Sequence, residues 1–199
     1  MLLIPSIKKS NQRPQHGASL IIVMLILVVV SLLGVGGAQI AIMSERGARN
    51  DRDQQVAWQA AEAALIDAEF DLFDTTAGGN RKALFDGKNQ SQFLINCGTS
   101  GQSQGLCAVN TSGHQAWLDV DFLDITASAP TTRFGQFTGR TFAAGGVGIQ
   151  PAREPRYVIE MILDPVSPPS DPSYLYRVTA MGFGPRVDIQ AVLQILYRV

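Results

Sequence analysis

The 199-residue chain has few of the residues on which most site chemistry depends. It has two cysteines and two histidines, too few for a zinc ribbon or a dense disulfide framework. Charged residues make up only 17% of it and apolar ones 46%, which excludes a chain disordered throughout. It has no basic excess: 16 lysines and arginines face 17 acids, a formal net charge of −1, so nucleic-acid binding is not expected. It has no second long apolar run, so it is not a polytopic membrane protein. Phosphate-loop chemistry is missing as well. Gly145-Gly146-Val147-Gly148 has no lysine at a phosphate-binding spacing, and Gly87-Lys88 lacks the following serine or threonine. Asp119, Asp121 and Asp124 match no calcium-loop spacing. His114, alone beyond the first 17 residues, has no paired nucleophile. No enzyme, cofactor or metal site is expected.

What the chain does have is concentrated near its start. From Ala18 to Met43, 26 residues carry no charge. As a helix this run spans about 39 Å, against the roughly 30 Å of a bilayer core. Before it stand Lys8, Lys9 and Arg13 with no acid; after it come Glu45, Arg46, Arg49 and Asp51. The positive-inside rule keeps residues 1–17 in the cytoplasm and sends the C-terminal bulk across, into the periplasm in a bacterium. Three readings fit. A secretory signal cut near Gly36-Gly37-Ala38 would release a soluble product, such as a secreted enzyme, starting near Gln39. Its apolar core would then exceed the usual length of about 7–15 residues. An uncleaved single-pass anchor would tether a periplasmic binding module. A cut between Gly17 and Ala18 would leave the apolar helix whole, with a free amine at its tip.

The helical pattern continues beyond the apolar run. SERGARNDRDQQVAWQAAEAALIDAEFDLFDTT contains no proline and is rich in good helix formers. Trp58, Ala61, Leu65, Ala68 and Leu72 recur at spacings of 3 and 4, one apolar stripe for packing against a domain, with Asp67 and Asp71 assigned to the polar side. Thr75 to Gly79 supply the stop. One helix of roughly 85 Å is expected from residue 18 to about 74. In its apolar half, Gly34 and Ala38, and Gly37 and Ala41, form small-xxx-small steps that let helices approach closely.

The junction Gln15-His16-Gly17-Ala18-Ser19-Leu20-Ile21 resembles the class III signal of type IV prepilins. That resemblance implies cleavage after Gly17 by a prepilin peptidase, methylation of the new N-terminus, and a retained helix that serves as membrane anchor and then as filament core. The family usually has glutamate as the fifth residue after the cut; here it is Ile22. By analogy with the tip pseudopilin of type II secretion, a subunit without that carboxylate suits the filament tip. Gly17–Ile21, Glu45-Arg46 and the run QAAEAAL at residues 59–65 are similar to the N-terminal domain of PilX-type minor pilins. The resemblance implies a minor pilin that assembles with other minor pilins to prime a type IV pilus. The partners it implies are those minor pilins, the major pilin, the inner-membrane assembly platform and a large tip adhesin. It implies a single-pass inner-membrane protein with a periplasmic head, later part of the pilus at the cell surface. A type II secretion pseudopilin shares this N-terminal logic and stays open as an alternative.

From about residue 80 the texture is that of loops and strands. Cys97 and Cys107, on the exported side, read as one disulfide closing a short loop; a catalytic or metal-binding thiol pair lacks a partner. Tyr157–Leu163, Tyr174–Met181 and Val187–Val199 read as strands of an antiparallel meander. Ala116–Ile125 fits a strand or a short helix, and Thr131–Gly148 reads as a surface loop. The segments Tyr176–Ala180, Gly182–Gly184 and Val192–Gln194 again resemble the end of PilX-type proteins. The expected fold is α+β and type IV pilin-like, a long helix packed on a β-sheet head. Its divisions are a leader at 1–17, the membrane and filament-core half of the helix at 18–43, the amphipathic half at 44–76 and the head at 77–199. Loss of the leader would leave 13 basic side chains against 17 acidic ones, a net of −4.

Overall fold

A computed structural model describes residues 18–73, 81–108 and 114–198. The helix stop expected at Thr75–Gly79 and the Gly17 side of the processing junction fall outside them. The fold is α+β: helix α1 (Ala18–Phe73) is followed by a five-stranded mixed sheet. The chain divides into two compact units, Met1–Ala48 and Arg49–Val199.

In the first unit, α1 is apolar on all sides. Leu20 to Val30 are each about half exposed or more, as are Leu32, Leu33, Val35, Ile40, Ile42 and Met43. An amphipathic surface helix would hide one stripe; this one hides none, so its whole circumference calls for lipid or for other helices. Its best 18-residue window has a mean hydropathy of 3.0. The hydroxyl of Ser31 donates to the Leu27 carbonyl at 2.7 Å, so this polar group is satisfied within the helix.

In the second unit, the C-terminal part of α1 lies on the sheet. The strands are β1 (Leu106–Cys107), β2 (Thr132–Arg133), β3 (Arg156–Leu163), β4 (Tyr174–Phe183) and β5 (Gln190–Tyr197). β3, β4 and β5 form the expected antiparallel meander. β1 runs parallel to β3 and β2 antiparallel to it, so the sheet is mixed rather than purely antiparallel. Two-residue strands carry too little periodicity to be legible in advance. Ala116–Asp119 is a short 3-10 helix. Thr131–Gly148 is not simply surface: Thr131, Thr132 and Phe134 are buried where β2 joins β3.

β3 is covered on both faces. Tyr157, Ile159 and Met161 join Tyr176, Val178 and Ala180 of β4 against Ala64, Ala68 and Leu72 of α1. Each fully buried side chain of this size contributes about 1.5–3 kcal/mol. On the opposite face Val158 packs with Phe122, Ala116 and both cysteines. Glu160, on that face, accepts the Ala116 N–H at 2.6 Å and pairs with Arg177, its cross-strand neighbour, at 2.9 Å.

Cys97 and Cys107 form a disulfide. Asn96 and Cys97 both sit at positive φ, 65° and 64°, a conformation that costs non-glycine residues energy unless their surroundings hold it. Replacing both cysteines by alanine is expected to lower stability by about 2–3 kcal/mol. Denaturant unfolding of the two proteins measures this. Equal midpoints would mean that Val158 and Phe122 hold the loop without the bond.

Candidate functional site

The face that α1 turns to the sheet is lined by alanine. Ala57, Ala60, Ala61, Ala64 and Ala68 are buried, followed by Leu72. Trp58, expected on this stripe, lies off it: it is 49% exposed and its indole N–H donates to Glu62 of the next turn at 2.9 Å. Ala61, Ala68 and Leu72 of the expected stripe are buried, and the packed face widens on one side to take in Ala57, Ala60, Ala64, Asp67 and Asp71. Leu65 is half-buried against the core and Leu72 is within it. Small side chains win because β4 passes so near. A Cβ on Gly182 would overlap the Ala57 carbonyl and the Ala61 amide nitrogen, and would sit 2.9 Å from the Ala60 carbonyl carbon.

Two carboxylates one turn apart complete this face, where the sequence pattern had put them in water. Asp71 accepts two hydrogen bonds from Arg81 Nε, at 3.0 and 3.1 Å, and is also paired with Nη2. The Tyr157 hydroxyl donates to it at 2.9 Å. Arg81 is 0% exposed. Its Nη1 donates to the carbonyls of Gln102 and Gln104 at 3.0 and 2.7 Å, and its guanidinium lies 3.7 Å from the Phe137 ring centre. Burial, then the Asp71 charge, pushes the Tyr157 hydroxyl far above its ordinary value.

Asp67 holds a different loop. It accepts the Gly135 N–H at 2.7 Å and the Thr138 hydroxyl, with Arg140 at 3.7 Å. Burial is the largest influence and raises this carboxyl above 3.8, against the Thr138 and Gly135 hydrogen bonds and the Arg140 charge. A carboxyl raised on folding favours the folded state when protonated. That contribution is full below 3.8 and is lost as pH rises through the raised value. Asp67→Asn keeps an acceptor for the Gly135 amide and carries no charge. Its stability relative to the unmodified chain is therefore expected to improve as pH rises from about 4 toward 7. Unfolding midpoints across that range test it, and a difference that is flat or falling contradicts it.

The remaining candidate residues are spread out. A Cβ at Gly34 or Gly37 would meet no atom within 4 Å, and Ala38 is exposed, so the small-residue steps stand open to a neighbour. Ala18 begins α1. His114 Nδ1 lies 3.2 Å from Asp119, while Asp121 and Asp124 accept the N–H groups of Leu123 and Thr126. These carboxylates serve local turns. The arrangement as a whole suits packing and recognition: an apolar helix exposed on all sides, and a head clamped to that helix's lower turns by alanine, two aspartates and two arginines.

Two family models cover nearly the whole chain. The one described as PilX N-terminal matches residues 16–65, and the one described as type IV pilus assembly protein PilX C-term matches residues 46–199. No curated protein and no solved structure matches.

Proposed function

Since the chain belongs to the PilX family of type IV pilus assembly proteins, we propose that it works as a minor pilin. Membership implies interaction with other pilus components, and the long apolar helix fits a single-pass membrane anchor. In our reading residues 1–17 are a leader removed by the prepilin peptidase. The helix from Ala18 is stored in the inner membrane with the head in the periplasm, then packs in the filament core. The head meets other minor pilins and helps to prime assembly; the major pilin, the assembly platform and a tip adhesin are its further partners. The work is done by packing and surface recognition, without catalysis.

The observation that carries this reading is the contrast within one continuous helix. Between Leu20 and Met43 its large side chains are exposed on every side, whereas from Ala57 to Leu72 one face is sealed by the head. An apolar cylinder with no face of its own to hide suits two successive apolar surroundings, first lipid and then a bundle of like helices. Open positions at Gly34 and Gly37 favour close helix contact. Ile22 stands where most pilins carry a carboxylate, which supports a place at the tip, where no subunit above requires that charge.

N-terminal sequencing of the chain from pilus-producing cells tests the processing step. A start at Ala18, abolished by Gly17→Phe, is the expected result. An intact Met1 points to a plain anchor, and a start near Gln39 to a secreted protein; either overturns the proposal. Recovery with sheared pili separates this reading from a secretion pseudopilin. Gold-labelled heads spread evenly along the filaments would refute the tip position.

A further inference from the structure

β2 and β3 place two arginines directly opposite one another: Arg133 pairs in register with Arg156. Like charges at opposed positions repel and destabilise a sheet. Arg133 is compensated by Glu154, 3.0 Å away. Arg156 has no such direct ion pair, although the charges of Asp124 and Glu154 act on it from further away. It is only 5% exposed, and it donates through Nε and Nη2 to the hydroxyl and carbonyl of Thr131. No carboxylate of the described residues reaches ion-pair distance of it. A buried charge normally has such a partner. Burial lowers its affinity for its proton; the Asp124 and Glu154 charges act against that, and the Arg133 charge adds to it.

Arg156 lines two adjoining clefts, of about 330 and 320 Å³, that share Ile125 and Arg133. Arg153 lines the first of these and donates to the Leu123 carbonyl at 3.2 Å. We propose that this cleft is a binding site for a carboxylate carried on an acidic segment of a partner protein, with the carboxylate seated between Arg156 and Arg133. Arg133, Arg153 and Arg156 line the first cleft together with Glu154, and Asp124 acts on Arg156 from outside the lining. Three positive charges against two negative ones leave one, which a single carboxylate neutralises. A guanidinium's planar fork matches a carboxylate in two hydrogen bonds. Beside it the apolar Ile125, Ala144 and Ala152 give the neighbouring residues of a peptide a surface that a free inorganic anion would not use. The site stands whether or not the chain works at a filament tip.

The probe is the blocked peptide acetyl-Ala-Val-Glu-Val-Ala-amide, titrated into the full chain in detergent and followed by NMR of the arginine side chains. Its Val-Gln-Val counterpart and inorganic phosphate are the controls. Saturable binding of the Glu peptide, at least tenfold tighter than the Gln peptide and tighter than phosphate, is expected. Arg156→Gln should weaken it tenfold or more. Arg153→Gln and Arg133→Gln, at more exposed positions, give the same reading should the buried variant fail to fold. Asp124→Asn, which removes a competing charge, should tighten binding. Phosphate binding as well as the Glu peptide would make this a general anion site and overturn the proposal. So would equal binding of the Glu and Gln peptides, no binding, or arginine variants that bind like the unmodified chain.

Discussion

Gly182→Ala is expected to pull the sheet off the helix. The added methyl would land on the Ala57 carbonyl and the Ala61 amide nitrogen. These are helix backbone atoms, which cannot swing aside as the end of a side chain can. β4 would have to retreat by about 1 Å to restore ordinary contact distance. Its neighbours in the sheet would move with it, loosening Ala191 of β5 from Ala57 and Ala61. Overpacking a well-filled core costs about 1–3 kcal/mol, and a clash with backbone belongs at the upper end. At about 3 kcal/mol, thermal unfolding of the full chain in detergent should begin roughly 6–12 °C lower. Gly184→Ala, whose methyl would meet the Asp53 carbonyl and Ile189 at 2.8 Å, is expected to be milder, because its overlap with helix backbone is shallower than the 2.2 Å approaches at Gly182. An unchanged melting temperature for Gly182→Ala would mean that the close approach of strand and helix is not what joins them.

Arg81→Met is expected to do comparable or greater damage for an electrostatic reason. Among the described residues the variant leaves the buried Asp71 carboxylate the Tyr157 hydroxyl alone, and it strips the carbonyls of Gln102 and Gln104 of a donor. Removing one partner of a buried ion pair typically costs about 3–5 kcal/mol. Adding Asp71→Asn should restore part of the loss, since the uncompensated charge goes with it. Urea unfolding of the two single variants and the double variant forms a cycle that isolates the pair. A double variant that loses the sum of the single losses would show that the ion pair is not the source of the effect.

The long helix was legible because its cues are local: no charge from Ala18 to Met43, then no proline and many good helix formers. The last three strands were legible for the same reason, through β-branched and aromatic residues between proline- and glycine-rich turns. The helix's packed face is wider than the expected stripe and leaves only Trp58 of it well exposed. Weight given to the large Trp58 pulled the stripe away from Ala57, Ala60 and Ala64, yet the near passage of Gly182 rewards the smallest side chain. The clue was present in an alanine series at spacings of 3 and 4 that runs on into Asp67 and Asp71. Their burial could not be read from pattern alone, because what satisfies them comes from distant residues: Arg81 and Tyr157 for one, Gly135, Thr138 and Arg140 for the other. The Arg133–Arg156 opposition was hidden similarly, since it depends on a strand of two residues whose register only the folded sheet defines.

The helix's closing turns, from Ala57 to Leu72, are themselves part of the head's interior. The head therefore does not hang from the helix by a pliable tether. Tension entering at Arg49 is passed along consecutive helical hydrogen bonds straight into the alanine seam. There it must slide the whole seam lengthwise past β4, with the Asp67 and Asp71 clamps engaged at once, instead of peeling one contact after another. Loading of that kind is shared among many bonds.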